Sequence, residues 1–458
     1  MPAPVIYSSV LELIGNTPLL EISCFDIGAC RLFVKLENQN PGGSIKDRMA
    51  LSMVAAAEAS GALRPGGVIV EATAGNTGLG LALVAAARGY RLIVVIPDKM
   101  STEKIQHLHG LGADVRITRT DVDKHHPQYY VNLAREIAES TPDSWLVDQF
   151  SNPANPLAHE ETTGPEIWAQ TAGRVDAVVC GVGSGGTITG LSRYFARVSP
   201  STEIVLADPA GSALAEYVRT GTLGEDGSYA VEGIGQSAVP PVTDLSRVTR
   251  AYTIPDARSF EVARTLLCRA GILGGSSTGT LVAAAIDYCR EQTTAKHVVT
   301  FICDSGNKYL SKMFNDYWML EGGYRQLPRT GDLRDLILRR YRDGAVISVG
   351  PEDSLLTAYN RMRTSDVSQL PVLDSGRPVG ILDESDLLMA VGDDESRFRL
   401  PVQTAMTTRL KTLPPSSTVE SVNEILNEGL VALIMDGQEF VGLITRSDLL
   451  NYMRRRLK

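Results

Sequence analysis

From about Val68 to Ser305 one pattern recurs: a short β-branched apolar run, a Gly or Asn turn, then an alanine-rich stretch with helical spacing. Val68 to Glu71, followed by LGLALVAAARG, shows it, and further strands are predicted at Arg91 to Pro97, Ala177 to Val182, Glu203 to Asp208 and Val298 to Asp304. Apolar runs without alternation suit parallel strands covered on both faces, and the repeated strand-turn-helix order predicts an α/β fold built from βαβ units. The pattern stops near Gly322. The tract RQLPRTGDLRDLILRRYRDG, Arg325 to Gly344, is charged and has no strand signal, so it reads as a connection between domains. Beyond it, two segments share one order of elements: a Pro-introduced turn, an amphipathic helix, a short strand, then GILDESDLL (Gly380 to Leu388) or GLITRSDLL (Gly442 to Leu450). That is an internal repeat. The expected division is a front domain over 1–323, a linker over 324–343 and a repeat module over 344–458, with copies at about 344–396 and 400–455.

A length of 458 residues suits two to four domains, and 43% hydrophobic with 21% charged residues is an ordinary globular composition. The formal charge of -9 disfavours nucleic acid as a partner. The dense basic cluster Arg454, Arg455, Arg456 and Lys458 is expected to be a solvated helix end, where cations oppose the helix dipole. Six scattered cysteines, with no CxxC pair and no His at ligand spacing, signal neither a metal site nor a disulfide framework. No apolar run reaches the roughly 18 residues of a membrane span, and MPAPVIYSSV lacks the regions of a signal peptide, so no membrane partner and a cytoplasmic location are expected.

Candidate chemistry begins with PGGSIKDR, Pro41 to Arg48, which sets Lys46 just after a glycine-rich turn at the start of a helical stretch. An amine held in a partly desolvated pocket has a depressed pKa, and its free base attacks carbonyls. A lysine at a helix start is more often simply solvated, so its neighbours decide. TAGNTG, Thr73 to Gly78, lies between a strand and a helix, where backbone N–H groups receive carboxylates or phosphates; a plain helix cap by Asn76 or Thr77 is the alternative. GVGSGGTITG, Gly181 to Gly190, occupies a second strand-to-helix turn and reads as a phosphate cup, with Ser184 and Thr187 adding hydroxyls. Asp208, closing the next strand, keeps a nicotinamide-binding reading open, although GSGGTITG does not fit the GxGxxG spacing.

Together these residues resemble the fold type II pyridoxal-phosphate enzymes of β-replacement, most closely the cystathionine β-synthase family. The resemblance runs through IGNTPL, KLENQNPGGSIKDR, TAGNTG, DQFSNPANPLAH, GVGSGGTITG, EGIG, GGSSTG and DSGNKYLSK, in that order. It implies two three-layer αβα subdomains of the tryptophan synthase β type, followed by an α+β module of paired CBS motifs. It makes Lys46 the lysine that carries pyridoxal 5′-phosphate, Asn76 the partner of the cofactor's 3′ oxygen, and Gly183, Ser184, Gly185, Gly186 and Thr187 the holders of its phosphate. Ser276 matches the residue facing the pyridine nitrogen, and a neutral hydroxyl there tempers the ring as an electron sink. Thr73, Gly75, Asn76, Thr77 and Gln149 match the receivers of the substrate carboxylate, with Gly233 beside the substrate.

Glu232, in EGIG, looks like the acid of the synthases where cysteine synthases carry glutamine, and is expected to support catalysis near the substrate or leaving group. The implied reaction joins serine to homocysteine; the alternative is a cysteine synthase using O-acetylserine, or another activated serine, and sulfide. Ala74 replaces a usual serine, Phe150 a usual tyrosine and Gln236 another, which bears on how homocysteine is recognised. Haem is not expected, because Cys24 and Cys30 follow IGNTPL instead of preceding it. The CBS motifs imply an adenosyl ligand, with Thr445 and Asp448 as its contacts, since Asp383 in the first copy would repel a phosphate; a module that binds nothing and serves only dimer contacts is the alternative. A homodimer or higher homo-oligomer is expected by analogy.

Overall fold

Continuous apolar runs become parallel strands with both faces covered. The computed structural model describes residues 6–73, 75–98, 100, 102–123 and 125–456. Ala74, Lys458, the side chains of Arg455 and Arg456 and the first half of MPAPVIYSSV lie outside the described residues. The chain divides into two compact units, Met1–Phe314 and Asn315–Lys458.

The strands of the first unit are Leu19–Ile22 (β1), Arg31–Lys35 (β2), Val68–Ala72 (β3), Arg91–Pro97 (β4), Asp114–Thr118 (β5), Ser144–Leu146 (β6), Ala177–Cys180 (β7), Glu203–Pro209 (β8), Val248–Ile254 (β9) and His297–Phe301 (β10). They form two sheets, ordered β5-β4-β3-β6 and β1-β2-β10-β7-β8-β9, in which every neighbouring pair is parallel except β1 with β2. β3 is buried at every position and β8 at all but its first, which explains their lack of polar alternation.

The helices that matter for the site are Lys46–Ser60 (α1), Asn76–Arg88 (α2), Thr102–Gly110 (α3), Gly186–Val198 (α4) and Ser276–Arg290 (α5). α2 and α4 follow the carboxyl ends of β3 and β7 directly, where open α/β sheets place their ligands. Met49, Met53, Leu79, Leu81 and Val84 belong to one buried apolar cluster, and a Cβ on Gly80 of α2 would lie 3.1 Å from Ala50 Cβ of α1, so the lysine-bearing helix is packed on the helix that follows TAGNTG. β7 and β10 end earlier than the sequence suggests because their last residues leave the sheet. Gly181 and Val182 open the glycine loop, while Ile302 and Cys303 turn their carbonyls to the N–H groups of Asn38 and Ile45, at 3.0 and 2.8 Å.

In the second unit the repeat is visible in the backbone. The first copy holds Leu355–Ser365 (α6), Gln369–Asp374 (β11), Arg377–Asp383 (β12) and Glu384–Val391 (α7); the second holds Lys411–Leu413 (β13), Val419–Asn427 (α8), Ala432–Asp436 (β14), Glu439–Ile444 (β15) and Arg446–Arg456 (α9). β11 pairs antiparallel with β12, and β14 with β15, each with a register shift at the corresponding place. β13 lies parallel to β14, and the Val349 to Val372 bridge repeats that pairing in the first copy. The charged tract before the repeat is not a bare spacer. Leu333, Leu336 and Ile337 are buried in one apolar cluster with Val422, Ile425 and Ile434, so this part of the tract belongs to the second unit's core.

Candidate active site

Lys46 is the first residue of α1, and its backbone is held from several directions. Ser44 Oγ accepts the Lys46 N–H at 3.2 Å, Asp47 Oδ2 accepts the Gly42 N–H at 2.5 Å, and Ser44 bridges to Asp304. One residue beyond Asp47, Arg48 enters a buried ion cluster with Glu37 and Glu166, to which Lys35 also binds. Burial lowers the Lys46 amine from its ordinary value, against the opposing pull of Cys303 and Asp304, which favours the free base. Lys46 lines one pocket, with about 370 Å³ of space partly open to solvent, together with Gly183, Ser184, Gly185, Gly186, Thr187 and Gly233.

The far wall of that pocket is the N-terminus of α4. Gly185 caps the helix at φ +89°, and a Cβ there would lie 1.7 Å from Thr243 Oγ1, so both conformation and space require glycine. Asn155 Nδ2 donates to Ser184 Oγ at 2.9 Å, and His159 Nε2 lies 3.3 Å from Thr187 Oγ1. Burial drives the His159 imidazole well below its usual pKa, so this partner of Thr187 is neutral. Backbone N–H groups at a helix start, two hydroxyls and an amine opposite them fit a phosphorylated aldehyde.

The start of α2 carries a second group of polar side chains, outside the lining of that pocket. Gly75 has φ +131°, and a Cβ on it would press to 2.6 Å from Lys104 Cδ. Thr73 Oγ1 accepts the Gly75 N–H at 3.3 Å, and Thr77 Oγ1 donates to Gln149 Oε1 at 2.8 Å. Gln149 Nε2 in turn donates to Glu71 Oε1 at 2.9 Å, while Glu71 Oε2 is buried and unpaired. Burial pushes the Glu71 carboxyl up to about 8, so the neutral acid supports Gln149 at pH 7. A carboxyl whose folded pKa is raised stabilises the fold below its unfolded value of 4.5, and that contribution is lost as pH rises through 8. Glu71→Gln is therefore expected to match the parent in urea unfolding near pH 5 and to exceed it at pH 9 by a few kcal/mol, roughly. A parent that stays the more stable at pH 9 would refute this.

Asn76, Asp304, Tyr309, Lys104, Glu232 and Lys312 form one continuous polar chain. Asn76 Nδ2 donates to Asp304 Oδ2 at 2.7 Å, the Tyr309 hydroxyl donates to the same oxygen at 2.6 Å, and Lys104 Nζ reaches that hydroxyl at 3.2 Å. Lys104 and Lys312 bind opposite oxygens of Glu232 at 2.5 and 2.7 Å. Burial raises the Glu232 carboxyl, but the two ammonium groups outweigh it and hold the group below its ordinary value, ionised. The Glu232 backbone N–H donates to Ser276 Oγ at 2.9 Å, which leaves the hydroxyl proton as a donor.

Other sequence-level candidates are occupied differently. Asp208 Oδ2 accepts the Ala215 N–H at 2.8 Å, a helix-start contact that leaves the nicotinamide alternative without its ribose acid. In the second unit, Thr445 Oγ1 donates to Asp448 Oδ2 at 2.6 Å, and the Asp448 N–H returns to Thr445 Oγ1 at 3.3 Å, so the pair caps α9. Asp383 and Asp386 form the equivalent box at α7, which gives Asp383 a local structural task. Among the described residues no group of three or more His, Cys, Asp or Glu is placed to hold a metal, and no helix is long and apolar enough to cross a membrane. Sequence reasoning missed Glu71, Lys104, Asn155, His159, Lys308 and Tyr309. Asn155, His159, Lys308 and Tyr309 lie in motifs it quoted, but nothing local distinguishes them from neighbouring polar residues.

Residues 10–304 match the pyridoxal-phosphate dependent enzyme family, and residues 337–393 and 402–455 match the CBS domain. The chain is 34% identical to a cystathionine β-synthase of Oryctolagus cuniculus over 99% of this chain and 86% of that protein. It is 41% identical to cysteine synthase 1 of Neurospora crassa over 67% of this chain and 83% of that protein. Among solved structures, the O-acetylserine dependent cystathionine β-synthase of Helicobacter pylori superposes with a TM-score of 0.63 at 35% identity, covering 68% of this chain and 99% of that one.

Proposed function

Because the chain belongs to the pyridoxal-phosphate dependent enzymes, within the cystathionine β-synthase family, we propose that it condenses L-serine with L-homocysteine to give L-cystathionine and water. The observation that carries this reading is the shared pocket of Lys46 and the 183–187 loop, with ionised Glu232 clamped between Lys104 and Lys312. Sulfide needs no charged partner, whereas an amino-acid acceptor brings a carboxylate and an ammonium, and this triad offers both signs. When bound, the cofactor supplies delocalisation of the charge left on the donor's α-carbon. Lys46 holds the cofactor and moves the α-proton, the 183–187 backbone receives the phosphate, and Thr73, Gly75, Asn76, Thr77 and Gln149 receive the donor carboxylate. Ser276 offers its hydroxyl proton to the ring nitrogen, and Gly233 leaves room for substrate.

The second reading, a cysteine synthase using O-acetylserine and sulfide, is favoured by the similarity to cysteine synthase 1 of Neurospora crassa, and its donor alone by the O-acetylserine dependent cystathionine β-synthase of Helicobacter pylori. Turnover of serine with homocysteine, compared with O-acetylserine and sulfide, separates the two. The first pair is expected to react faster; turnover of the second pair alone would replace the proposal with the alternative. Pyridoxal phosphate without haem, a homodimer or higher homo-oligomer in the cytoplasm, and an adenosyl ligand contacting Thr445 and Asp448 complete the proposed assignment.

A further inference from the structure

Lys308 is 6% exposed, and its ammonium spans two parts of the site that the chain connects only distantly. Nζ donates to Gly42 O at 3.1 Å, to Gly43 O at 3.2 Å and to Asn76 Oδ1 at 2.9 Å. The first two acceptors belong to the turn that presents Lys46. The third fixes the Asn76 amide, whose Nδ2 is then the donor side, bonded to Asp304 at 2.7 Å. We infer that Lys308 is a positioning residue that locks the lysine-bearing turn and the Asn76 amide into one arrangement, and that losing its proton releases the lock. This rests on the cofactor reading above, through Lys46 and Asn76.

An ammonium has three donors, and here there are three acceptors. A neutral amine has only two donors and brings a lone pair, so deprotonation must break one contact and set a lone pair against an oxygen. The titratable groups around Nζ are Asp47 on α1, whose carboxyl burial pushes up to about 7, Asp304 after β10, and Lys104 and, when protonated, His107 on α3. Burial lowers the Lys308 amine to about 8, against the pull of Asp304 and Asp47. Its loss of charge therefore falls in an accessible range.

The test records the absorbance of the bound cofactor in substrate-free holoenzyme from about pH 6.5 to 9.5, for the parent, Lys308→Arg and Lys308→Met, with kcat and KM measured alongside. The parent is expected to change spectrum in one step near pH 8. Lys308→Arg, which keeps its charge and several donors, is expected to keep the parent's neutral-pH spectrum and lose the step. Lys308→Met is expected to show at pH 7 the spectrum the parent reaches at pH 9, with kcat reduced about tenfold and the donor's KM changed less. A parent without the step, an arginine variant that retains it, or a methionine variant with the parent's neutral spectrum each overturns the inference. If the methionine variant does not fold, the arginine variant decides. A parent with no cofactor band and no pyridoxyl group on Lys46 after borohydride reduction would instead refute the proposed function.

Discussion

Lys46→Ala is expected to lower β-replacement by about 10²- to 10⁴-fold, the range of a lost general acid or base. The side chain lines one pocket with Gly183, Ser184, Gly185, Gly186 and Thr187, and burial lowers its amine below the ordinary value, which favours the free base. Among the described residues no other lysine lines that pocket, and Lys308 is committed to the turn carbonyls and Asn76. Alanine is the best helix former, and the contacts that pin this turn come from the backbone, Ser44, Asp47 and Lys308 and not from the Lys46 side chain, so the fold is expected to survive. Steady-state rates and borohydride labelling check this together. The parent should acquire a pyridoxyl group on the Lys46 peptide and the variant none. A variant with parental β-replacement would remove Lys46 from the chemistry.

Arg48→Met is expected to destabilise the first unit by about 3–5 kcal/mol, the cost of breaking a buried ion pair and stranding its partner. The guanidinium binds Glu37 through Nε and Nη2, each at 2.8 Å, and Glu166 through Nη1 at 2.6 Å and Nη2 at 2.7 Å. Lys35 completes the cluster at 2.7 Å from Glu166, so two cations balance two anions. Methionine fills much of the volume but leaves Glu37, which is fully buried, without its cation. The same cluster gives an acid limb. Burial raises the Glu166 carboxyl, yet its ion pairs with Arg48 and Lys35 outweigh this and hold it at about 2. A depressed folded pKa contributes stability above the unfolded value of 4.5, lost as pH falls toward 2, here about 3 kcal/mol. In the variant Glu166 keeps only Lys35, so its carboxyl is less depressed and less stability should be lost on acidification. Urea unfolding at pH 7 and near pH 3 measures both, and an unchanged midpoint at pH 7 would show the cluster to be energetically idle.

Asn155 and His159 show where legibility stops. Both lie in DQFSNPANPLAH, a motif that is plain in the sequence, but their contacts with Ser184 and Thr187 exist only because the chain returns 29 and 28 residues later. Leu333, Leu336 and Ile337 make the same point for the charged tract. Three apolar residues among many charges carry no periodic signal, and their burial depends on the helix and strands of the second repeat copy.

The sequence alone determined what depends on neighbouring residues: unbroken apolar runs that must become covered parallel strands, glycine at turns whose backbone takes a positive φ, and a lysine at a helix start with glycine-bearing strand-to-helix loops elsewhere in the chain. Tertiary structure decided which buried polar groups meet. Gln149 lies 78 residues from Glu71, Lys104 lies 128 from Glu232 and Asn76 lies 232 from Lys308. A buried lysine and a solvated one are the same letter, and only the approach of distant segments sets the desolvation and the partners that give each its charge and its task.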